Sequence, residues 1–190
     1  MEIVLASKSP RRKMLLEQLG LDFTIEPSGI DETNVELDNP VNLVKRLSYL
    51  KADDVYSNKD QIVIAADTVV SQDGRILGKP ANDDEARIML SDLSDKTHQV
   101  ISGITIINGR EEKTSYEKTN VTFKKLTSHE IDDYIATGEP LDKAGAYGIQ
   151  AKGAVFVKKI EGCFYNVMGL SLYKLVEMMK DLGWEIELNG

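Results

Sequence analysis

A chain of 190 residues with 42% hydrophobic and 28% charged residues holds enough apolar side chains for one substantial core, or two small lobes around a cleft, and is not a disordered polymer. Its 31 acidic against 23 basic residues give a formal net charge of -8, which repels polyanions and argues against a broad nucleic-acid or membrane-surface binder. No apolar run approaches the roughly 18 residues of a bilayer span. The N-terminus lacks the order of a signal peptide, and the single cysteine, Cys163, excludes an internal disulfide, so the expected location is cytoplasmic.

The stretch "EIVLA" near the N-terminus reads as a short buried strand. Ser9 is a natural N-cap, Pro10 suits the first helical position and Gly20 follows the last turn, with Met14, Leu15, Leu16 and Leu19 as the apolar face. "DFTIEP" alternates like a strand, and Asn39-Pro40 opens a helix through about Val55 with Val44, Leu47 and Leu50 on one side. "IVIAADTVVSQDGR" is a central strand running into a turn at Asp73-Gly74, "ILGKP" a short extended return, and Asn82 the cap of a helix through about Leu93. Two strands meet at Asn108-Gly109, a hairpin signal. Thr127 to Glu130 fits a capping box before a helix ending at Gly138. A glycine-rich segment then leads into another strand. A last helix spans about Leu170 to Leu182, stops at Gly183, and "WEIEL" closes the chain as a strand. The expected fold is mixed α/β: a long twisted mixed sheet flanked by helices, forming two lobes around a central cleft.

Lys8, Arg11, Arg12 and Lys13 crowd the start of the first helix, where the macrodipole disfavours cations and the free N–H groups favour anions. A phosphate held between them, with Ser7 and Ser9 beside it, turns that repulsion into attraction; the plainer alternative is a solvated basic patch. The Walker A spacing and any G-x-G are absent. His98 and His129 have no triad-like context and read as surface or capping residues, and Cys163 as packing. Asp67 lies inside the apolar "AADTVV", a costly position unless something occupies it. Asp67 and Glu32 could together give the hard oxygen ligands that magnesium takes alongside substrate phosphates. Lys51 and Lys79 are further cations, and "YGIQAKG" offers Gln150 and Lys152 between glycines, where backbone can approach a ligand.

"LASKSPRRKMLLEQLG", "SGIDE", "AADTVV", "LGKP", "GEPLDKAGAYGIQAKGAVFVKKIEG" and "YNVMGLSL", in this order, resemble the Maf family of nucleoside triphosphate pyrophosphatases. The resemblance implies one domain over residues 1–190 with an inosine triphosphate pyrophosphatase-like fold, and metal-dependent hydrolysis of a nucleoside triphosphate to the monophosphate and pyrophosphate. It implies that Ser7, Arg11 and Arg12 hold phosphates, that Lys51 and Lys79 line the triphosphate, and that Asp67 is the catalytic base. Glu32 would join Asp67 at a divalent cation, Mg²⁺ or Mn²⁺. Arg12, Thr68 and Gln150 are similar to the set found in the branch preferring dTTP and UTP, rather than 7-methyl-GTP. By the same resemblance the substrates extend to modified pyrimidine nucleotides such as 5-methyl-UTP and pseudo-UTP and the chain forms a homodimer, while the family's link to septum formation points to a cell-division partner. The competing reading is a nucleotide-binding regulator of septum formation that needs no turnover. Nucleic-acid binding is weaker, since the basic patch is short, lacks aromatics and sits on an acidic body.

Overall fold

The computed structural model describes residues 2–35, 39–57, 60–109 and 111–186. Local signals set most elements. The first strand, β1 (Glu2–Leu5), leads into α1 (Pro10–Gln18), whose N-cap Ser9 accepts from the Arg12 N–H. β2 (Phe23–Ile25) and a 3₁₀ turn at Glu32–Asn34 precede α2 (Pro40–Val55), where the Asn39 side chain accepts from Val41 and Asn42. β3 (Gln61–Gln72) turns into β4 (Arg75–Leu77), then α3 (Asp83–Leu93) starts from the Asn82 cap. β5 (Thr97–Asn108) and β6 (Glu111–Phe123) form the hairpin, and α4 (Ser128–Ile135) begins with a complete Thr127–Glu130 capping box.

The C-terminal third departs from expectation. The glycine-rich segment contains 3₁₀ turns at Glu139–Asp142, Ala144–Ala146 and Lys152–Phe156 before β7 (Val157–Glu161). A short helix, α5 (Phe164–Met168), precedes α6 (Leu172–Asp181), which starts two residues later than expected because Ser171 caps it. Trp184 to Ile186 form no strand, and the rest of "WEIEL" lies outside the described residues. Met14 is 43% exposed, so the buried face of α1 is carried by Leu15 and Leu16, with Leu19 partly buried.

Among the described residues the strands form one mixed sheet in the order β2-β1-β3-β5-β6-β7, with β4 on β3. β1 pairs in parallel with both β2 and β3; the remaining pairings are antiparallel. The chain leaves β1 for β2 on one side and returns to β3 on the other, which makes the carboxyl end of β1 a topological switch point, where open α/β sheets bind ligands. One edge of β3 is interrupted at the same place. β1 pairs with residues 61–64 and β4 with residues 70–72, leaving residues 65–69 without a strand on that edge.

The period of two divides β3 between two environments. Ile62, Ile64 and Ala66 join Leu15 and Leu16 of α1 and Leu175, Met178 and Met179 of α6. Val63 and Ala65 pack against Ala52 and Val55 of α2. α2 comes unusually close to the sheet at Gly103, the residue paired with Asp67. A Cβ there would lie 2.2 Å from the Val44 carbonyl oxygen, so only glycine lets α2 sit at this depth. Gly103→Ala should cost about 1–3 kcal/mol by overpacking and lower the thermal midpoint; an unchanged midpoint would mean that α2 retreats freely.

A third group of side chains surrounds Phe123, Tyr147 and Phe156 under α3 and α4. His98 belongs to it, contrary to the surface position expected from the sequence. It is 1% exposed, and its Nε2 lies 2.8 Å from the Tyr147 hydroxyl, while Nδ1 has no partner among the described residues. His129 is exposed at the start of α4, 3.5 Å from Asp133. Burial pushes His98 down from 6.5 to about 4, so between these values the unfolded chain binds a proton that the folded one does not. Stability should therefore fall as pH drops from about 6.5 toward 4 and level off, for this group, below that. Urea titrations across the window should show this segment in the wild type and its loss in His98→Gln.

Candidate active site

A cleft of about 740 Å³ opens at the switch point, lined by the loop after β1, the start of α1, the unpaired stretch of β3 and the glycine-rich segment. That volume suits a ligand of nucleotide size. Three of the four cations at the α1 start, Lys8, Arg11 and Arg12, line it; Lys13 does not, and pairs with Glu17 at 3.6 Å.

Arg12 is held by neutral acceptors. Its Nε donates to the Gly169 carbonyl at 2.9 Å, Nη1 to Ser7 Oγ at 3.2 Å and Nη2 to Thr68 Oγ1 at 3.1 Å. Ser7 also accepts from the Ser9 N–H, which ties the loop to the helix start. Burial pulls the guanidinium below its ordinary value; the charge of Asp67 opposes this, that of Arg11 adds to it and that of Glu32 opposes it. An anion in the cleft would relieve the cost of burying this cation.

The acidic side is built on the opposite face of β3. Asp67 is 6% exposed, and its Oδ1 accepts from Lys51 Nζ at 2.6 Å, an ammonium that reaches it because α2 packs so closely. Glu32, exposed at the start of its 3₁₀ turn, brings Oε1 to 2.9 Å from the same nitrogen. Two carboxylates thus converge on one cation at the cleft wall. Lys51 lines the cleft, with its ammonium engaged by these carboxylates.

Lys79 is exposed at the rim. Its loop is fixed to the far wall by the Gly145 N–H donating to the Gly78 carbonyl at 2.9 Å. Gly145 has φ +68, and a Cβ would strike Val70 at 2.9 Å, which accounts for a glycine at this turn. Gln150 is not brought together with the others: it is exposed and outside the cleft lining, whereas its neighbours Gly148 and Ile149 are part of it. Lys152 is likewise exposed, its N–H spent on Glu139.

Sequence reasoning passed over several residues here. Lys143 lines the cleft, bound to Asp142 at 2.5 Å and the Glu139 carbonyl at 2.9 Å. Partial burial pushes Asp142 up, but Lys143, with Arg11 further off, outweighs it and holds the carboxyl below its ordinary value. Glu139 ties the segment together by accepting from the Tyr134 hydroxyl and from the Lys152 and Gly153 N–H groups. Lysine and acid between glycines were the available signal; which of them face inward depends on 3₁₀ turns with no periodicity to read.

Two solved structures share the fold. The Staphylococcus aureus Ham1 protein has a TM-score of 0.52 at 15% identity, over 97% of this chain and 100% of that one. A HAM1 protein from Coxiella burnetii has a TM-score of 0.50 at 17% identity, over 95% and 99%. Sequence relatives are much nearer. A dTTP/UTP pyrophosphatase of Bacillus cereus (strain B4264) is 48% identical over 186 residues, 97% of both chains, and one of Bacillus thuringiensis subsp. konkukian (strain 97-27) is 48% identical over the same extent. No helix among the described residues is long and apolar enough to cross a membrane. The family model described as Maf-like protein matches residues 2–182, and the chain belongs to that family.

Proposed function

We propose that this protein is a nucleoside triphosphate pyrophosphatase acting on dTTP and UTP, working as a single domain whose two lobes face each other across the cleft. The observation that carries the substrate class is the 48% identity, across 97% of both chains, to a protein that bears this activity in its name. The cleft supports it by setting cations and carboxylates on either side of a nucleotide-sized space.

The donor set fits a divalent cation. Glu32 and Asp67 already converge on one positive charge, that of Lys51, and magnesium takes one or two carboxylates with substrate phosphates completing its shell. Among the described residues no third His, Cys, Asp or Glu joins these two, so water and substrate phosphates would complete the shell of a cation held there. Mg²⁺ or Mn²⁺ bound there supplies Lewis-acid polarisation of a phosphate oxygen. The chain does the rest. Asp67 takes a proton from, and orients, the water that attacks the α-phosphorus. Arg11, Arg12 and Lys79 meet the charge that accumulates on the departing pyrophosphate. Lys51, held between these carboxylates at the cleft wall, lines the triphosphate. By the family resemblance Arg12, Thr68 and Gln150 form the selective set; Arg12 and Thr68 line the cleft, and Gln150 is exposed outside its lining. Modified pyrimidine nucleotides, a part in septum arrest and a homodimer rest on the family resemblance alone.

Pyrophosphate release from dTTP, UTP, CTP, ATP, GTP and 7-methyl-GTP, with Mg²⁺ and with EDTA, tests this reading. Turnover that needs the metal and favours dTTP and UTP is the expected result. Tight binding of all nucleotides with no turnover would replace the enzyme by a nucleotide-binding regulator. Asp67→Asn should retain most nucleotide binding and lose at least about a hundredfold in kcat; wild-type turnover in that variant would remove Asp67 from the mechanism. Arg12→Ala should weaken every triphosphate alike, and a defect confined to one base would contradict a phosphate role.

A further inference from the structure

Behind the cleft wall, away from any surface, lies a line of polar groups that the proposed reaction does not use. Thr68 Oγ1, which accepts from Arg12, is 2.8 Å from Ser102 Oγ on the paired strand. Ser102 is fully buried and donates to the Asn166 carbonyl at 3.2 Å. The Asn166 side chain, also fully buried, donates to the Val100 carbonyl and to Thr119 Oγ1, both at 3.0 Å. Thr119 in turn holds Cys163, the residue capping α5, by its N–H and its carbonyl. The start and middle of α5 are therefore fastened to β5 and β6, and the turn that ends it presents the Gly169 carbonyl to Arg12 and, at 3.3 Å, to the Thr68 hydroxyl.

Hydrogen-bond capacity limits what Thr68 can offer. Each hydroxyl has one proton to donate. Thr68 spends its proton either on Ser102, which then donates to the Asn166 carbonyl, or on the Gly169 carbonyl at 3.3 Å. In either arrangement it has no proton left for a substrate.

We propose that Ser102 is a positioning residue for the anion-binding fork, acting through Thr68, whose hydroxyl fixes Arg12. The inference rests on the proposed role of Arg12 in holding phosphates. Ser102, fully enclosed, sets the rotamer of Thr68; Thr68 and Gly169 then set the plane of the guanidinium, and planar bidentate recognition tolerates little misalignment.

Arginine side-chain NMR of the full chain reads this without substrate. The Arg12 Nε–H, enclosed against Gly169, should give a solvent-protected resonance in the wild type that weakens in both Ser102→Ala and Thr68→Val while unfolding stays cooperative. Calorimetry with inorganic tripolyphosphate supplies the second readout. Each single variant should lose about three- to tenfold in affinity, and the double variant should lose no more than Thr68→Val alone, because both act through one link. Ser102→Cys, which keeps a weaker donor in place, should fall between wild type and Ser102→Ala, and serves where the alanine variant does not fold. An Arg12 resonance unchanged in the Ser102 variants would overturn the inference, as would a full additional loss when Ser102→Ala is added to Thr68→Val. A wild type that shows these couplings but hydrolyses no nucleotide would sink the proposed reaction and leave the positioning role standing.

Discussion

An aspartate in the middle of a covered strand is tolerable only with a cation against it, and much of this molecule is arranged around that requirement. The cation is Lys51, 2.6 Å from Asp67 and itself almost enclosed. It is carried by α2, and α2 reaches the necessary depth because residue 103 has no side chain. Glu32, more than half exposed at its side chain, adds a weaker, solvent-screened attraction. Removing one member of an enclosed pair typically costs about 3–5 kcal/mol, so the helix, the glycine and the lysine form one structural unit with the carboxylate they serve.

The basic side solves a different problem. Cations at a helix start oppose the dipole and each other, and an ion pair would be the simplest relief. Arg12 is instead held by two hydroxyls and a carbonyl. These neutral acceptors take three of its five N–H donors without cancelling its charge, so the positive potential is not neutralised. On a body with a net charge of -8, this focusing is what lets a small polyanion approach.

Elements written in local code were legible in the sequence. Ser9-Pro10, Asn39-Pro40, Asn82, Asn108-Gly109 and the Thr127–Glu130 box each announce a boundary through side chains that satisfy nearby backbone groups. The cations of the α1 start and the isolation of Asp67 in an apolar run were equally plain. What stayed hidden depends on distance along the chain. Two of the three acceptors of Arg12 come from 56 and 157 residues away, and the break in the edge of β3 exists only once β1 and β4 are placed. α5 has five residues, too few to display a period. His98 looked like a surface residue because nothing in a β-strand sequence says that Tyr147, 49 residues on, will cover it.

The alternation that sets Asp67 and Thr68 on opposite faces makes β3 a partition as well as a wall. Asp67, Glu32 and their lysine stand on the α2 side of the strand and Arg12 with its acceptors on the α5 side, and both supports rest on β5, α2 at Gly103 and the line behind Arg12 at the adjacent Ser102. Because residues 102 and 103 are neighbours, a shift of β5 is felt on both faces at once, so the spacing between the carboxylates and the guanidinium is set by one strand pair.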